Sequence, residues 1–153
     1  MVKAGGLILL FQIAAFPSVA GEVQKGIEVA PVWSGHPVGF CLLTHPPYQF
    51  VSFYDDERCM AVASRKLNER AWKTVVLPET LGWDSHNYVT MAVDEDERLH
   101  LSGNMHVSPL IYFRTAQPLD ITTFERVHAM VGQNEGRVTY PKFLRGPDKE
   151  LLF

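Results

Sequence analysis

The feature that most constrains the fold of this chain is a motif that recurs about every 50 residues. A Trp-Ser-Gly-His-Pro segment begins at Trp33 and a Trp-Asp-Ser-His-Asn segment at Trp83, and each leads into an apolar run. A third segment of this kind surrounds Arg137. Because propeller blades repeat at this length with four strands each, the sequence predicts an all-β, partial β-propeller. A β-sandwich with accidental internal similarity is the alternative.

Short runs rich in apolar and β-branched residues predict the strands of these units. Apolar residues alternate with others around Met91 and again around Leu99, as in strands with one buried face. Acidic turns and a Gly-Pro-Asp turn separate the runs. The predicted strands are Val38–Thr44, Gln49–Tyr54, Cys59–Arg65, Trp72–Leu77, Tyr88–Val93, Arg98–Ser102, Leu110–Thr115, Phe124–His128, Thr139–Leu144 and Glu150–Phe153.

The N-terminus has the features of a secretion signal. Lys3 precedes an apolar stretch, and small residues lead up to Ala20, where we expect cleavage. Residues 21–153 would then form an incomplete propeller domain, secreted or periplasmic and without a membrane contact. An uncleaved anchor is the alternative, although the stretch is shorter than the roughly 20 residues a span needs.

Charge and cysteine usage narrow the class further. The net charge of -3 shows no basic excess, so we expect no nucleic-acid partner. Cys41 and Cys59 fall on predicted strands two apart in one sheet, which separates their Cα atoms by roughly 9–10 Å. Since a disulfide spans at most about 7 Å, both cysteines are predicted to be free.

Three residues are predicted to meet at one mouth of the propeller. In a blade, the loop before the first strand and the loop after the second strand share a face near the central axis. His86 lies in a loop of the first kind, His106 follows the second strand of that blade, and Tyr140 opens the next. His36 and Arg137 occupy corresponding loops and could join them.

These residue types suit the removal of a proton next to a carboxylate. Histidine exchanges protons near neutral pH, tyrosine can serve as its partner acid or base, and arginine neutralises a carboxylate. Each residue alone also fits a structural role: a hydrogen-bonding surface histidine, or a tyrosine that caps the core before Pro141.

The other histidines and the turn acids are weaker candidates for a site, and His100 is interpreted as structural. His100 alternates with Leu99 and Leu101 and should face away from the core, while His45 and His128 lack a partner at metal-ligand spacing. Without a phosphate loop, nucleophile elbow or zinc pattern, we expect no metal and no cofactor. Four turn acids are expected to be solvated: Asp55, Asp56, Asp94 and Asp96.

The most specific motifs are Ser85-His86-Asn87 and Gly103-Asn104-Met105-His106, accompanied by residues 33–40, 81–88 and 139–148. Together they resemble the BNR-repeat family that includes propeller-type ulvan lyases. The resemblance implies a seven-bladed propeller, of which this chain would supply about two and a half four-stranded blades. It also implies β-elimination on a uronate-containing, sulfated polysaccharide.

The resemblance implies that His86, His106 and Tyr140 handle protons, with the order of base and acid left open. An arginine that neutralises the uronate is expected just beyond Phe153, so the chain is interpreted as a truncated copy. The residues predicted to bind substrate are Asn87, Asn104, Arg137 and His36.

Two further functions remain open. A non-catalytic, carbohydrate-binding propeller would stack sugars on Trp33, Trp83 and Tyr88. A sialidase-like hydrolase would need an arginine cluster and a Tyr-Glu pair, which the sequence pattern does not indicate. The expected partner is an acidic polysaccharide, with no specific protein partner.

Overall fold

The computed structural model describes residues 26–35, 37 and 39–153, and over them the chain is all-β. The predicted signal segment, 1–20, and the predicted site residue His36 lie outside the described residues. In the order of the chain, the described elements are β1 (Cys41–His45), β2 (Tyr48–Tyr54), β3 (Cys59–Lys66), β4 (Lys73–Thr80), β5 (Val89–Val93), β6 (Leu99–Gly103), β7 (His106–Ser108), β8 (Tyr112–Thr115), a 3₁₀ turn (Ile121–Thr123), β9 (Phe124–Arg126), β10 (Val138–Thr139), β11 (Leu144–Arg145) and β12 (Leu151–Leu152).

Two four-stranded antiparallel sheets dominate the fold, as predicted for two blades. The first has the order β1-β2-β3-β4 and the second β5-β6-β8-β9. β2 and β3 pair in continuous register from Tyr48 opposite Lys66 to Tyr54 opposite Met60. Each sheet is therefore a meander in which neighbours in sequence, or nearly so, are neighbours in space.

The two sheets pack against each other around one hydrophobic core. Phe50 and Met60 of the first sheet are fully buried in the same cluster as Leu99 and Leu101 of the second. Period-two alternation explains this face, because every second residue of a strand points the same way. Burying each such side chain stabilises the fold by about 1.5–3 kcal/mol.

The opposite face of each sheet carries a smaller apolar cluster. Val51 and Phe53 of the first sheet pack with Trp72. Met105 and Tyr112, next to and within the second sheet, pack with Phe143. The segment after β10 is thus docked onto the second sheet, which fixes where Tyr140 lies.

The predicted single strand Thr139–Leu144 is wrong. β10 covers only Val138–Thr139 and pairs with β7, a strand the sequence did not predict. The chain turns at Tyr140, whose φ is +54°, immediately before Pro141, which has no N–H to give to a ladder. β11 and β12 then form a separate hairpin.

Other predicted strands are present with shifted ends. Of the predicted strand Val38–Thr44, Val38 lies outside the described residues and β1 begins at Cys41, while β4 continues to Thr80. β8 begins at Tyr112 rather than Leu110, since the Leu110 N–H donates to the carbonyl of Glu135 (2.8 Å) instead of a ladder partner.

Cys41 and Cys59 are free thiols on β1 and β3, two strands apart, as predicted. Burial raises the pKa of the Cys41 thiol and outweighs its weak hydrogen bond to the carbonyl of Met91. In the described part of the chain, no helix has the length and apolar character needed to cross a membrane.

Candidate functional site

The loop that leads into β5 is organised by Asp84. Its Oδ1 accepts a hydrogen bond from the backbone N–H of His86 (2.9 Å), and its carbonyl accepts one from the N–H of Asn87 (3.2 Å). An Asp side chain that bonds the backbone two residues later forms an Asx-turn. This turn brings the side chain of His86 back toward the carboxylate.

Asn104 holds this loop against the end of β6. Its Oδ1 accepts from the N–H of Gly82 (3.1 Å) and from Nδ2 of Asn87 (3.0 Å). Its Nδ2 donates to Oε1 of Glu79 (2.5 Å) and to the carbonyl of Thr80 (2.8 Å). An amide has two donor hydrogens and two acceptor positions, so the side chain of Asn104 is fully used.

Gly103 makes this close approach possible. A Cβ at position 103 would lie 2.7 Å from the carbonyl oxygen of Tyr88 and 2.9 Å from Cα of Val89, closer than real Cβ atoms come. The absence of a side chain at Gly103 therefore lets the end of β6 meet the start of β5. His106, three residues further on, begins β7 beside the loop.

The side chains of Asp84, His86, His106 and Tyr140 come together here, and we call them the exposed cluster. Nδ1 of His86 lies 2.5 Å from Oδ1 of Asp84, and Nδ1 of His106 lies 2.6 Å from Oδ2. The imidazole centroids are 4.4 Å apart, and the Tyr140 ring is 5.8 Å from each. All three predicted proton-handling residues are thus in mutual contact.

The cluster is open to solvent and centred on a negative charge. The exposed fractions of the side chains are 36% for Asp84, 46% for His86 and 32% for His106. The His86 backbone N–H, then the His106 and His86 side chains, hold the pKa of Asp84 far below its ordinary range. Asp84 is therefore a carboxylate at neutral pH.

The same three side chains, Asp84, His86 and His106, could in principle hold a metal ion, since their candidate ligand atoms all lie within 4.8 Å of one another. However, two ligands of one Zn²⁺, each about 2.0–2.1 Å from it in a tetrahedral site, lie more than about 3 Å apart. The Asp-His separations of 2.5 and 2.6 Å are hydrogen-bond distances. The residues fit a hydrogen-bonded cluster better than a coordination sphere, and the expectation of no metal stays a prediction.

Tyr140 adopts a backbone conformation rare for a bulky residue. Its φ of +54° lies in the left-handed region, which favours glycine, and Val107 beside His106 has a φ of +55°. The pairing of β10 with β7 and the hydrogen bond from the Val107 N–H to Oγ1 of Thr139 (2.7 Å) hold both residues in place. Such strain is concentrated at functional sites in proteins.

Aromatic side chains flank the exposed cluster. The ring of Tyr88 lies 5.8 Å from that of Tyr140, and both are about half exposed. Trp83, next to Asp84 in the loop, is 75% exposed and forms a T-shaped pair with Trp33, with the ring centroids 5.1 Å apart. Tyr88 therefore extends the cluster with an exposed aromatic ring, whereas the guanidinium of Arg58 lies over the ring of Trp83, 5.7 Å from its centroid.

The predicted substrate-binding residues that the structure describes differ from one another in exposure and in hydrogen bonding. Asn87 is buried, and Asn104 has no hydrogen-bonding capacity left, so both support the loop in this structure. Arg137 is exposed just before β10 and makes no hydrogen bond or ion pair with a described residue. Their roles toward substrate stay predictions.

A second group of similar chemistry lies at the second sheet, where His100 is on β6 and Tyr112 on β8. We call Asp94, His100 and Tyr112 the enclosed cluster. Nε2 of His100 lies 2.8 Å from Oδ2 of Asp94, and Nδ1 lies 2.7 Å from the Tyr112 hydroxyl. The side chain of His100 is only 12% exposed, and it lies outside the main core, as predicted.

The turn acids Asp94 and Asp55 lie in turns and are partly exposed, but both also accept hydrogen bonds from neighbouring groups. Asp94 accepts from His100 and from the N–H of Arg98 (2.8 Å). Asp55 accepts from the N–H groups of Glu57 (3.1 Å) and Cys59 (2.7 Å). The free N–H groups of a tight turn attract the nearest carboxylate.

Sequence reasoning missed Asp84, which joins the two histidines. The available signal was its spacing: an Asp two residues before a His can form an Asx-turn that returns the His side chain to the carboxylate. The contact with His106 carried no such local signal, since it depends on the β5–β6 register.

Comparison with known proteins supports the fold. A family model described as BNR repeat-containing family member matches residues 48–153. A solved structure of an ulvan lyase, from polysaccharide lyase family PL25, aligns with a TM-score of 0.58 and 16% identity over 82% of this chain. A second, PL25 ulvan lyase bound to -[GlcA(1-4)Rha3S]-, aligns with a TM-score of 0.56 and 16% identity over 82% of this chain.

The chain spans 32% of the length of each of these two structures. No curated protein sequence matches it significantly. The structural likeness confirms the predicted fold class, in which two four-stranded sheets correspond to propeller blades.

Proposed function

This chain belongs to the BNR repeat-containing family, and we propose that it carries part of the active site of a polysaccharide lyase. The proposed reaction is β-elimination on a polysaccharide that contains uronate. The proposal covers the whole protein's activity, to which this chain contributes the exposed cluster.

The observation that carries the proposal is the convergence of two histidines and a tyrosine on one open surface. His86, His106 and Tyr140 come from three separate segments, yet their rings lie within 5.8 Å of one another. An elimination requires one group that takes the C5 proton and one that protonates the leaving oxygen, and adjoining rings can do both from one face of a bound sugar. The solved ulvan lyase that holds a GlcA-Rha3S unit adds support by analogy of fold.

The reaction would proceed with the following balance. A base takes the proton from C5 of the uronate, and the electron pair forms the C4–C5 double bond. The C4–O bond breaks, and the leaving oxygen takes a proton from an acid. His86 or His106 would supply the base through a ring nitrogen, and Tyr140 would serve as the acid, which the contact of its ring with both imidazoles supports.

The charge of the uronate carboxylate must be neutralised before the proton on the adjacent C5 can leave. Among the predicted site residues, Arg137 is the cation that stands exposed with no hydrogen bond to a described residue. Arg145 is less suited, since it donates to the carbonyls of Val93 and Lys149. We therefore assign the carboxylate contact within this chain to Arg137, alongside any arginine contributed from elsewhere in the protein.

The test is the formation of unsaturated product. The protein is incubated with ulvan and with other uronic polysaccharides, and the ultraviolet absorbance of the double bond conjugated to the carboxylate is followed. We expect absorbance to rise with at least one substrate, and the rate of this rise to fall by about 10²–10⁴-fold in His106→Ala. His45→Ala is the matched control, because His45 pairs with Glu97 (3.5 Å) at the far end of β5. Flat absorbance across all substrates would contradict the proposal.

A second candidate function is carbohydrate binding without turnover. It is favoured by the exposed aromatic rings of Trp83, Tyr88 and Tyr140, since sugar rings pack their apolar faces on such side chains. Binding that survives His106→Ala but is weakened by Trp83→Ala, with no unsaturated product, would favour this function over the lyase.

We further propose that the protein is exported, as a polymer-degrading enzyme must meet its substrate outside the cell. Lys3, the apolar stretch after it and the small residues before Ala20 support this. N-terminal sequencing of the protein recovered from culture medium or periplasm tests it, with Gly21 expected as the first residue.

A further inference from the structure

The carboxylate of Asp84 is shared by both histidines of the exposed cluster. Oδ1 faces Nδ1 of His86 at 2.5 Å, and Oδ2 faces Nδ1 of His106 at 2.6 Å. A carboxylate can only accept hydrogen bonds, so each Nδ1 must carry the hydrogen. In a neutral imidazole the other nitrogen, Nε2, is then the proton acceptor.

The Nε2 atoms remain available for chemistry. Neither His86 nor His106 makes a hydrogen bond through Nε2 to any described residue, and both side chains are about a third or more exposed. We infer that Asp84 is the positioning residue of this site, which fixes both histidines in the Nδ1–H tautomer and presents both Nε2 atoms to the substrate. This rests on the proposed function for its consequence in catalysis, but the tautomers can be measured without turnover.

A change of Asp84 to Asn has a specific predicted result. Oδ1 also accepts the backbone N–H of His86, so the amide oxygen will keep that position. The NH₂ group must then replace Oδ2 and point at Nδ1 of His106. Because the amide donates there, Nδ1 of His106 has to accept, and its hydrogen moves to Nε2. The variant is therefore expected to change the tautomer of His106 and to leave the tautomer of His86 unchanged.

The enclosed cluster provides an internal control, because its histidine is predicted to be the opposite tautomer. Asp94 faces Nε2 of His100, which must donate to it, while Nδ1 accepts from the Tyr112 hydroxyl. His100 is thus predicted to be the Nε2–H tautomer in the same molecule. Asp94→Asn is the matched variant and should alter His100 alone.

The experiment is long-range ¹H–¹⁵N NMR on the chain labelled at histidine, which distinguishes a protonated from an unprotonated ring nitrogen. In the unaltered protein, at a pH at which the rings are neutral, we expect Nδ1–H for His86 and His106 and Nε2–H for His100. In Asp84→Asn we expect Nε2–H at His106, with His86 and His100 unchanged. Signals are assigned with single His→Gln variants.

Two results would overturn the inference: Nε2–H at either His86 or His106 in the unaltered protein, or an unchanged His106 in Asp84→Asn. An unchanged signal of His100 reports that the variant is folded. If the variant does not fold, the tautomers of the unaltered protein decide the question by themselves.

Kinetics extend the test where turnover is measurable. If His106 supplies the base, Asp84→Asn should lower kcat by about 10²–10⁴-fold with little change in KM, as when an Asn imposes the wrong tautomer on a catalytic histidine. A rise in KM with kcat unchanged would contradict the role of Asp84 in positioning a catalytic base. Correct tautomers in a protein without lyase activity would leave the positioning inference standing and contradict the proposed function.

Discussion

The exposed cluster and the enclosed cluster are built from the same residue types in the same part of the fold. Each has an Asp that bonds histidine and a tyrosine against the imidazole. In the enclosed cluster both nitrogens of His100 are occupied, and its side chain is 12% exposed. In the exposed cluster each imidazole uses Nδ1 alone and stays open to solvent.

This difference separates a structural histidine from one that can do chemistry. Burial with every polar group paired gives stability, because an unpaired buried group costs about 1–3 kcal/mol. A free nitrogen beside a free hydroxyl at the surface gives no comparable stability but can bind and exchange protons with a ligand. Residue type alone could not make this distinction, whereas the number of occupied ring nitrogens does.

The largest effect is expected for substitutions in the exposed cluster. His106→Ala and Tyr140→Phe should each reduce the rate of double-bond formation by about 10²–10⁴-fold, the usual contribution of a general acid or base. His100→Gln should leave the rate near that of the unaltered protein. Initial rates at saturating polysaccharide provide the measurement, and a larger loss in His100→Gln than in His106→Ala would reverse the comparison.

Next in size is the support of the exposed cluster by Asn104. Asn104→Asp places a carboxylate oxygen where Nδ2 now donates to Glu79 (2.5 Å), so two negative charges would meet at a half-buried position. We expect a loss of about 3 kcal/mol in the free energy of unfolding, measured by urea denaturation. Ser85→Ala, in the exposed loop, is the control. Unchanged stability would mean that Asn104 does not hold the loop.

A smaller loss is expected in the enclosed cluster. His100→Ala removes the partners of Asp94 and Tyr112 and should lower the free energy of unfolding by about 1–2 kcal/mol. His45→Ala breaks only the surface pair with Glu97 and should cost less than about 1 kcal/mol. Urea denaturation of both variants makes the comparison, and equal losses would show that enclosure adds nothing.

The smallest expected effect is on pH dependence. Burial would raise the pKa of Asp94, but hydrogen bonds from His100 and the Arg98 N–H, with the His100 charge, outweigh it and leave the pKa lowered. A carboxylate with a lower pKa in the folded chain stabilises the fold above its unfolded-state pKa, near 4, and this stability is lost as pH falls through the folded-state value. The free energy of unfolding of Asp94→Asn should therefore fall less steeply on acidification than that of the unaltered chain. Parallel curves would show that Asp94 is not linked to folding.

Much of the fold was predictable because burial imposes a period on the sequence. The repeat around Trp33 and Trp83 predicted two four-stranded blades, and alternation around Met91 predicted which face is buried. The failures lie where the chain leaves that period. β7 and β10 are too short to show alternation, and the positive φ of Tyr140 arises from tertiary pairing rather than from local preference.

The candidate site was predictable in part for the same reason. Loop positions relative to the strands predicted that His86, His106 and Tyr140 would meet, and the structure brings them together. Asp84 was missed because its role depends on one hydrogen bond within its loop, to His86, and on a second to His106 in β7. Asn104 was interpreted as a substrate contact, since the sequence does not show that its amide is already fully bonded.

The most direct test of the central claim, that the exposed cluster performs an elimination, is product analysis after reaction in H₂¹⁸O. Elimination breaks the C4–O bond without adding water, so we predict oligosaccharides with a C4–C5 double bond, whose ¹⁸O is limited to the slow exchange of the reducing-end hydroxyl with solvent. Their formation should require His106 and tolerate His100→Gln. Saturated products that carry ¹⁸O would identify a hydrolase and contradict this assignment.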